Sequence, residues 1–166
     1  MVIEVDDSGW GDLIGGVVIV MRRVETDENH VGLMPVEYFR DPHFKYQEYL
    51  RAATQIILEG LDILEASKSE ELRVCTGFIF SSARETLEEL SYRVREVKIT
   101  GATQELAESE FIKSLVEMGI GKPNKIASMR SFKGFLDWVK EDPDGRERYV
   151  KTGWSSWNKY REEMRS

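Results

Sequence analysis

The sequence predicts an α/β fold: a mixed five-stranded sheet, three antiparallel strands followed by alternating helices and strands, with helices on both faces. Three observations predict it. The first forty residues hold three β-branched or alternating apolar segments with short Gly-rich or polar connections, the pattern of an antiparallel meander. The next eighty switch between helical and strand periodicity, and strands joined through helices run parallel. The length, 166 residues, suffices for one full core and falls short of two.

Residues 2–6 alternate as a short strand ending in acids, and 14–24 form a longer β-branched strand after a Gly-rich turn. The polar segment 25–30 turns the chain into a third strand over 31–39. Asp41-Pro42 then offers an N-cap and an early proline for a long helix over 44–66. Its apolar face carries Tyr49, Leu50, Ala53, Ile57 and Leu61, whereas Glu48, Glu59 and Asp62 lie opposite as solvated charges. A fourth strand covers 72–80. Ser82 and Glu85 form a capping box for a helix through 92, residues 94–100 alternate as a fifth strand, and Thr103 caps a helix to 118. Beyond Gly121, Pro123, Asn124 and Pro143-Asp144-Gly145 break the pattern, leaving short helices around 132–140 and 155–164. The chain thus divides into a domain over 1–120 and an extension over 121–166.

Composition narrows the function classes. Hydrophobic residues at 41% and charged residues at 32% describe a globular protein, and no apolar run approaches the roughly 18 residues of a membrane span. The strand-like opening Met1-Val2-Ile3-Glu4 is no cleavable signal, so a cytoplasmic location is expected. Cys75 sits within an apolar run and reads as a small buried side chain. His30 and His43 are isolated in connections and read as surface residues. A net charge of −7 disfavours a polyanionic partner until its distribution is considered. Residues 1–120 hold 12 Lys+Arg against 23 Asp+Glu, net −11, and residues 121–166 hold 11 against 7, net +4. The extension is also aromatic, interleaving Lys133, Arg146 and Arg148 with Trp138, Trp154 and Trp157. Such cation–aromatic alternation suits single-stranded nucleic acid, with Trp154 and Trp157 as stacking platforms; equally, these rings suit docking on the core or on a second subunit.

The most informative stretch runs from Asp6-Asp7-Ser8-Gly9-Trp10-Gly11-Asp12 into the apolar strand Ile14-Gly15-Gly16-Val17-Val18-Ile19. A carboxylate at the end of a central strand can reach the sheet edge, and Gly9 and Gly11 permit a tight turn and close approach of a ligand. This opening resembles that of ribonuclease HII, in which Asp-Glu-Ala-Gly-Arg-Gly-Pro precedes an apolar strand. Asp6 matches that family's first metal-binding Asp, and Asp7 its Glu. The strand order extends the likeness to the ribonuclease H superfamily over about 120 residues. Taken whole, the chain looks like the archaeal ribonuclease-H-like exonucleases described as single-strand-specific and 3′–5′.

That resemblance implies a nuclease in DNA repair or replication that uses Mg²⁺ or Mn²⁺ on single-stranded nucleic acid, DNA in preference. On the last helix of the domain, 100° steps place Glu108 near the middle of the apolar face and Glu105 at its edge, with Glu110 pointing away. Asp6, Glu108 and one or more of Asp7, Glu105 and Asp12 are therefore the expected metal-binding acids, which would activate water through the cation. Two departures matter. Trp10 stands where ribonuclease HII has a junction-reading Arg, and it offers a base stack instead. The superfamily's acid at the end of the fourth strand is replaced by Ser81-Ser82. The alternatives are a ribonuclease H cutting RNA in hybrids and a non-catalytic nucleic-acid-binding protein on the same fold.

Overall fold

The structure, a computed structural model, describes residues 1–165. Its sheet has the order β3-β2-β1-β4-β5. β1 (Val2–Ser8) is central, antiparallel to β2 (Val17–Arg23) and parallel to β4 (Glu71–Val74). β3 (Asn29–Met34) is antiparallel to β2, and β5 (Arg93–Glu96) is parallel to β4. The mixed five-stranded α/β architecture is the one the residue patterns predict.

Each face of the sheet has its own core. Ile3 and Val5 of β1, with Val17, Ile19 and Met21 of β2, pack under α1 (Glu48–Ile63) and α2 (Ser81–Glu89). Val18 and Val20 pack under α3 (Ala102–Glu117) on the opposite face. Because side chains alternate along a strand, Glu4, Asp6 and Ser8 share the α3 side. The hydrogen bond from Thr103 Oγ1 to Glu4 Oε1, at 2.6 Å, agrees with that placement.

Residues beyond 120 complete the second core. They form α4 (Pro123–Met129), α5 (Phe132–Glu141), α6 (Pro143–Arg146) and α7 (Trp157–Arg165). Ile126, Phe135, Trp138, Val139, Val150 and Trp157 share one buried cluster with Leu13, Ile14, Ala107, Phe111 and Leu115. The backbone joins in, with Gly15 N–H donating to Tyr149 O at 2.8 Å and Lys151 N–H to Leu13 O at 2.9 Å.

Several boundaries differ from the sequence expectation. β1 runs two residues further, carrying Asp7 and Ser8 into pairing with Ile19 and Val18. β3 ends at Met34, and Val36–Phe39 is a 3₁₀ turn instead of strand. The Asp41-Pro42 pair caps no helix: α1 starts at Glu48 behind Gln47, whose φ is +53°, because Phe44 is drawn in against Phe39 and Tyr49 at ring distances of 6.4 and 5.5 Å. β4 stops at Val74. The Arg84 guanidinium there donates to the carbonyls of Cys75 and Gly77 at 2.7 and 3.1 Å, and Phe78–Phe80 leaves the sheet as a 3₁₀ turn burying Ile79 and Phe80. Neither expected cap forms: α2 follows Phe80 and α3 follows Gly101, both without a side-chain cap, and Thr103 lies inside α3 bonded to Glu4.

Candidate metal centre

The pairing of β1 with β4 ends at Val5 and Val74, after which Cys75 N–H donates to Val5 O at 3.0 Å. Asp6, Asp7 and Cys75 therefore emerge together where the parallel pair gives out. Adjacent strand residues ordinarily face opposite sides of a sheet, yet past the end of β4 both carboxylates reach the Cys75 thiol, and one ligand atom from each of the three lies within 4.8 Å of the others. The site sits at the carboxyl ends of two neighbouring parallel strands, where open α/β sheets present their ligands. Cys75, and not Ser81-Ser82, occupies the end of the fourth strand; the two serines open α2.

Electrostatics make this site hungry for positive charge. Burial pushes the Asp6 carboxyl above its ordinary range; the Asp7 amide and the Cys75 thiol oppose that by hydrogen bonding, and the charges of Glu108 and Glu4 add to it. Burial also pushes Asp7 up to about 7, with the Asp6 charge reinforcing it. The Cys75 thiol is raised by burial and by the same two acids. Clustered buried carboxyls held back from ionisation are stabilised in their charged form by a cation. The two carboxylates fit a hard divalent cation such as Mn²⁺ or Mg²⁺, whereas a Cys75 thiolate would favour softer ions over either.

The other acids expected at the site are spread around it. Glu108 is exposed: the buried face of α3 consists of Thr103, Ala107, Phe111, Ser114 and Leu115, so Glu108 lies on its flank and not at its middle. The wheel built from apolar residues alone was rotated because it gave no weight to Thr103 and Ser114, which are buried polar residues. Glu108 still lies near enough to raise Asp6. Glu105 is exposed, and Glu110 is half-buried. Asp12 is committed elsewhere, since Arg130 grips both its oxygens at 3.1 Å and also reaches Ser8 Oγ at 2.9 Å. Sequence reasoning missed Glu4 and Cys75. The spacing Glu4-x-Asp6 on a strand was the signal for the first; the second had none, because the end of β4 is set by its pairing.

Of the two glycines in the motif, packing demands only one. Gly9 has φ +112°, and a Cβ there would lie 2.6 Å from both Gly16 O and Phe111 Cε1, whereas a Cβ on Gly11 meets nothing within 4 Å. Gly9→Ala is expected to cost about 2–4 kcal/mol and Gly11→Ala under about 1 kcal/mol in chemical denaturation. Equal costs would contradict this account of the turn.

The expected nucleic-acid contacts divide by exposure. Trp10 is 39% exposed, edge-on to Tyr49 at 5.2 Å. Lys133 is solvated, with a loose pairing to Asp137 at 3.8 Å. Arg148 is exposed beside Tyr149. Arg146 is occupied locally, donating to Trp138 O at 2.6 Å and pairing with Glu141 at 2.9 Å. Trp154 is half-buried, packed edge-on to Phe132 at 5.8 Å. Trp157 is 1% exposed, so its ring is a core element with no face left for a base.

The sequence matches no family model and no curated protein. Among solved structures the chain is similar to a point mutant of Bst-RNase HIII, with TM-score 0.64, 10% identity, and coverage of 98% of this chain and 70% of that one. It is similar to Bst-RNase HIII in complex with Mn²⁺ to nearly the same degree, with TM-score 0.62, 10% identity and the same coverage. The catalytic core domain of BIV integrase overlaps more loosely, with TM-score 0.42 at 10% identity over 99% of this chain and 95% of that one. The feature shared with Bst-RNase HIII is the ribonuclease-H-like fold.

Proposed function

We propose that this protein is a divalent-metal-dependent nuclease that hydrolyses phosphodiester bonds, acting as a 3′–5′ exonuclease on single-stranded DNA in the cytoplasm. The observation that carries the reading is the convergence of Asp6, Asp7 and Cys75 at the carboxyl edge of the central strands of a ribonuclease-H-like sheet. Bst-RNase HIII, a protein of the same fold, forms a complex with Mn²⁺, which supports divalent-metal use. Exonuclease action, its polarity and the preference for DNA rest on the resemblance of the chain as a whole to the archaeal ribonuclease-H-like exonucleases.

Asp6 and Asp7 would hold Mn²⁺ or Mg²⁺ together with Cys75. When bound, the cation supplies charge for a phosphodiester oxygen and a more acidic water. The chain's own residues do the rest. Glu108, exposed on the flank of α3 beside Asp6, is positioned to take a proton from water at the rim. Arg130 keeps Asp12 from adding a further negative charge where the phosphate approaches. Lys133 and Arg148 offer solvated cations for the strand's phosphates. Glu108→Gln is expected to slow turnover about a hundredfold, the lower end of the range for a proton-transfer group, and Glu110→Gln to leave it within about twofold. Turnover of the two variants measured side by side checks this; equal losses would return the role to the helix as a whole.

A ribonuclease H acting on RNA/DNA hybrids is the second reading, favoured by the Asp6 to Gly11 opening and disfavoured by Trp10. Purified protein with Mg²⁺ or Mn²⁺ on end-labelled single-stranded DNA, single-stranded RNA, duplex and hybrid decides between them. Laddering of single-stranded DNA from its 3′ end is the expected result. Cleavage of hybrid alone would establish the second reading, and inertness towards all four would leave a non-catalytic binding protein.

A further inference from the structure

Three residues past Asp7 the turn after β1 opens into a cleft of about 360 Å³, lined by Trp10, Phe39, Phe44, Phe132, Lys151 and Trp154 among others. Its residues come from both ends of the chain. Trp10 and Phe132 stand on the rim, 39% and 41% exposed. A chain of ring contacts through the core links the cleft's rim to the metal centre. Trp10 is edge-on to Tyr49, Tyr49 is edge-on to Phe78 at 6.4 Å, and Gly77 before it lies against Asp7.

Lys151 gives this apolar cleft its polarity. Its side chain is nearly sealed, the residue being 7% exposed, and its ammonium donates to Asp12 O at 2.7 Å and Ile14 O at 3.2 Å. Two of its three N–H donors meet carbonyls, and the third has no oxygen partner, only the Phe39 and Phe111 rings with centroids 5.7 and 5.9 Å away. Burial lowers its pKa to about 7, against the pull of the Asp12 charge. A purely aliphatic occupant would leave that donor unpaired, at a cost. A bare phosphate would waste the ring walls. A nucleobase supplies both a flat π face for the rings and carbonyl oxygens for the ammonium.

We propose that this cleft binds one unstacked nucleobase of a single strand whose phosphates reach Asp6 and Asp7, stacking it on Trp10, Phe132 or Trp154 and accepting a hydrogen bond from Lys151 Nζ at a base carbonyl. The site deepens the nuclease reading and rests on it for the identity of the polymer. Its consequence is that the strand is held by a base beside the metal centre, so that duplex, whose bases are stacked away, is refused there.

The test uses full-length protein without metal, titrated by fluorescence anisotropy against labelled dT12 and against a labelled 12-mer of abasic sugar-phosphate carrying the same charge. The wild type is expected to bind dT12 at least about tenfold more tightly than the abasic strand, and Trp10→Ala and Phe132→Ala each to shrink that ratio by roughly fivefold or more, with the affinity for the abasic strand unchanged. Trp10→Phe should restore most of the ratio. Lys151→Met should lower dT12 affinity alone; where that buried change prevents folding, the two rim variants decide. A wild-type ratio near one, or a ratio that neither rim variant alters, overturns the proposal. Base-dependent binding with no cleavage on adding Mn²⁺ leaves the cleft standing and removes the nuclease reading, whereas cleavage of dT12 with no base-dependent binding does the reverse.

Discussion

Asp6→Asn is expected to reduce metal-dependent cleavage by roughly a hundredfold to ten-thousandfold, the range for losing one essential catalytic group, and at the same time to raise the melting temperature of the metal-free protein. The two effects have one cause. Asp6 is 6% exposed, its carboxyl is pushed up by burial, and the charges of Glu108 and Glu4 push it further. A carboxylate in that position destabilises the empty site and is useful only when a cation offsets it. Asparagine keeps the shape and an oxygen to accept from the Cys75 thiol, and it removes the charge. Turnover and thermal melting should be measured on the same preparation. Unchanged turnover in a folded mutant would remove Asp6 from the chemistry, and a lowered melting temperature would mean that its charge is already balanced within the protein.

Stabilisation of the protein by Mn²⁺ should grow steeply with pH between about 5 and 8, by up to tenfold in apparent affinity per pH unit for each proton displaced. Asp7 is raised from an ordinary 3.8 to about 7 in the metal-free fold. For a carboxyl raised in this way, the stability gained by holding it neutral is fully present below its unfolded value and is lost as pH rises through 7. The metal-free protein therefore weakens over that window. A cation binds only the ionised pair, so below pH 7 it must expel a proton, and above pH 7 it meets the charge ready-made. Thermal shifts with Mn²⁺ at pH 5.5, 6.5 and 7.5, together with proton release followed by calorimetry in two buffers, measure both sides of this linkage. Asp7→Asn should flatten the pH dependence along with most of the binding. A pH-independent affinity in the wild type would exclude Asp7 as a ligand.

Asp6 and Asp7 were legible as candidate site residues because one short stretch contains everything that positions them: a strand, its end, and a glycine at Gly9 that no Cβ could replace. Glu108 was expected near the middle of the apolar face and stands exposed on its flank, because helical spacing cannot say which polar residues are buried beside it. Asp12 was misleading for a reason outside its neighbourhood. Its partner Arg130 is 118 residues away, and nothing near Asp12 announces that its carboxylate is already paired.

Local periodicity by itself determined the order of strands and helices, the mixed sheet and the acidic end of β1, because each of these depends on which side chains within a few residues must be hidden from water. Tertiary structure alone decided the rest. The register between β1 and β4 ends the parallel pair at Val74 and so delivers Cys75 to the two acids. Packing of the chain beyond residue 120 against α3 and β2 buries Trp157 completely and leaves Trp10, Phe132 and Trp154 around an open cleft. A tryptophan's composition and spacing are the same whether it fills a core or waits for a ligand; only the partners brought to it by folding, from more than a hundred residues away, distinguish the two.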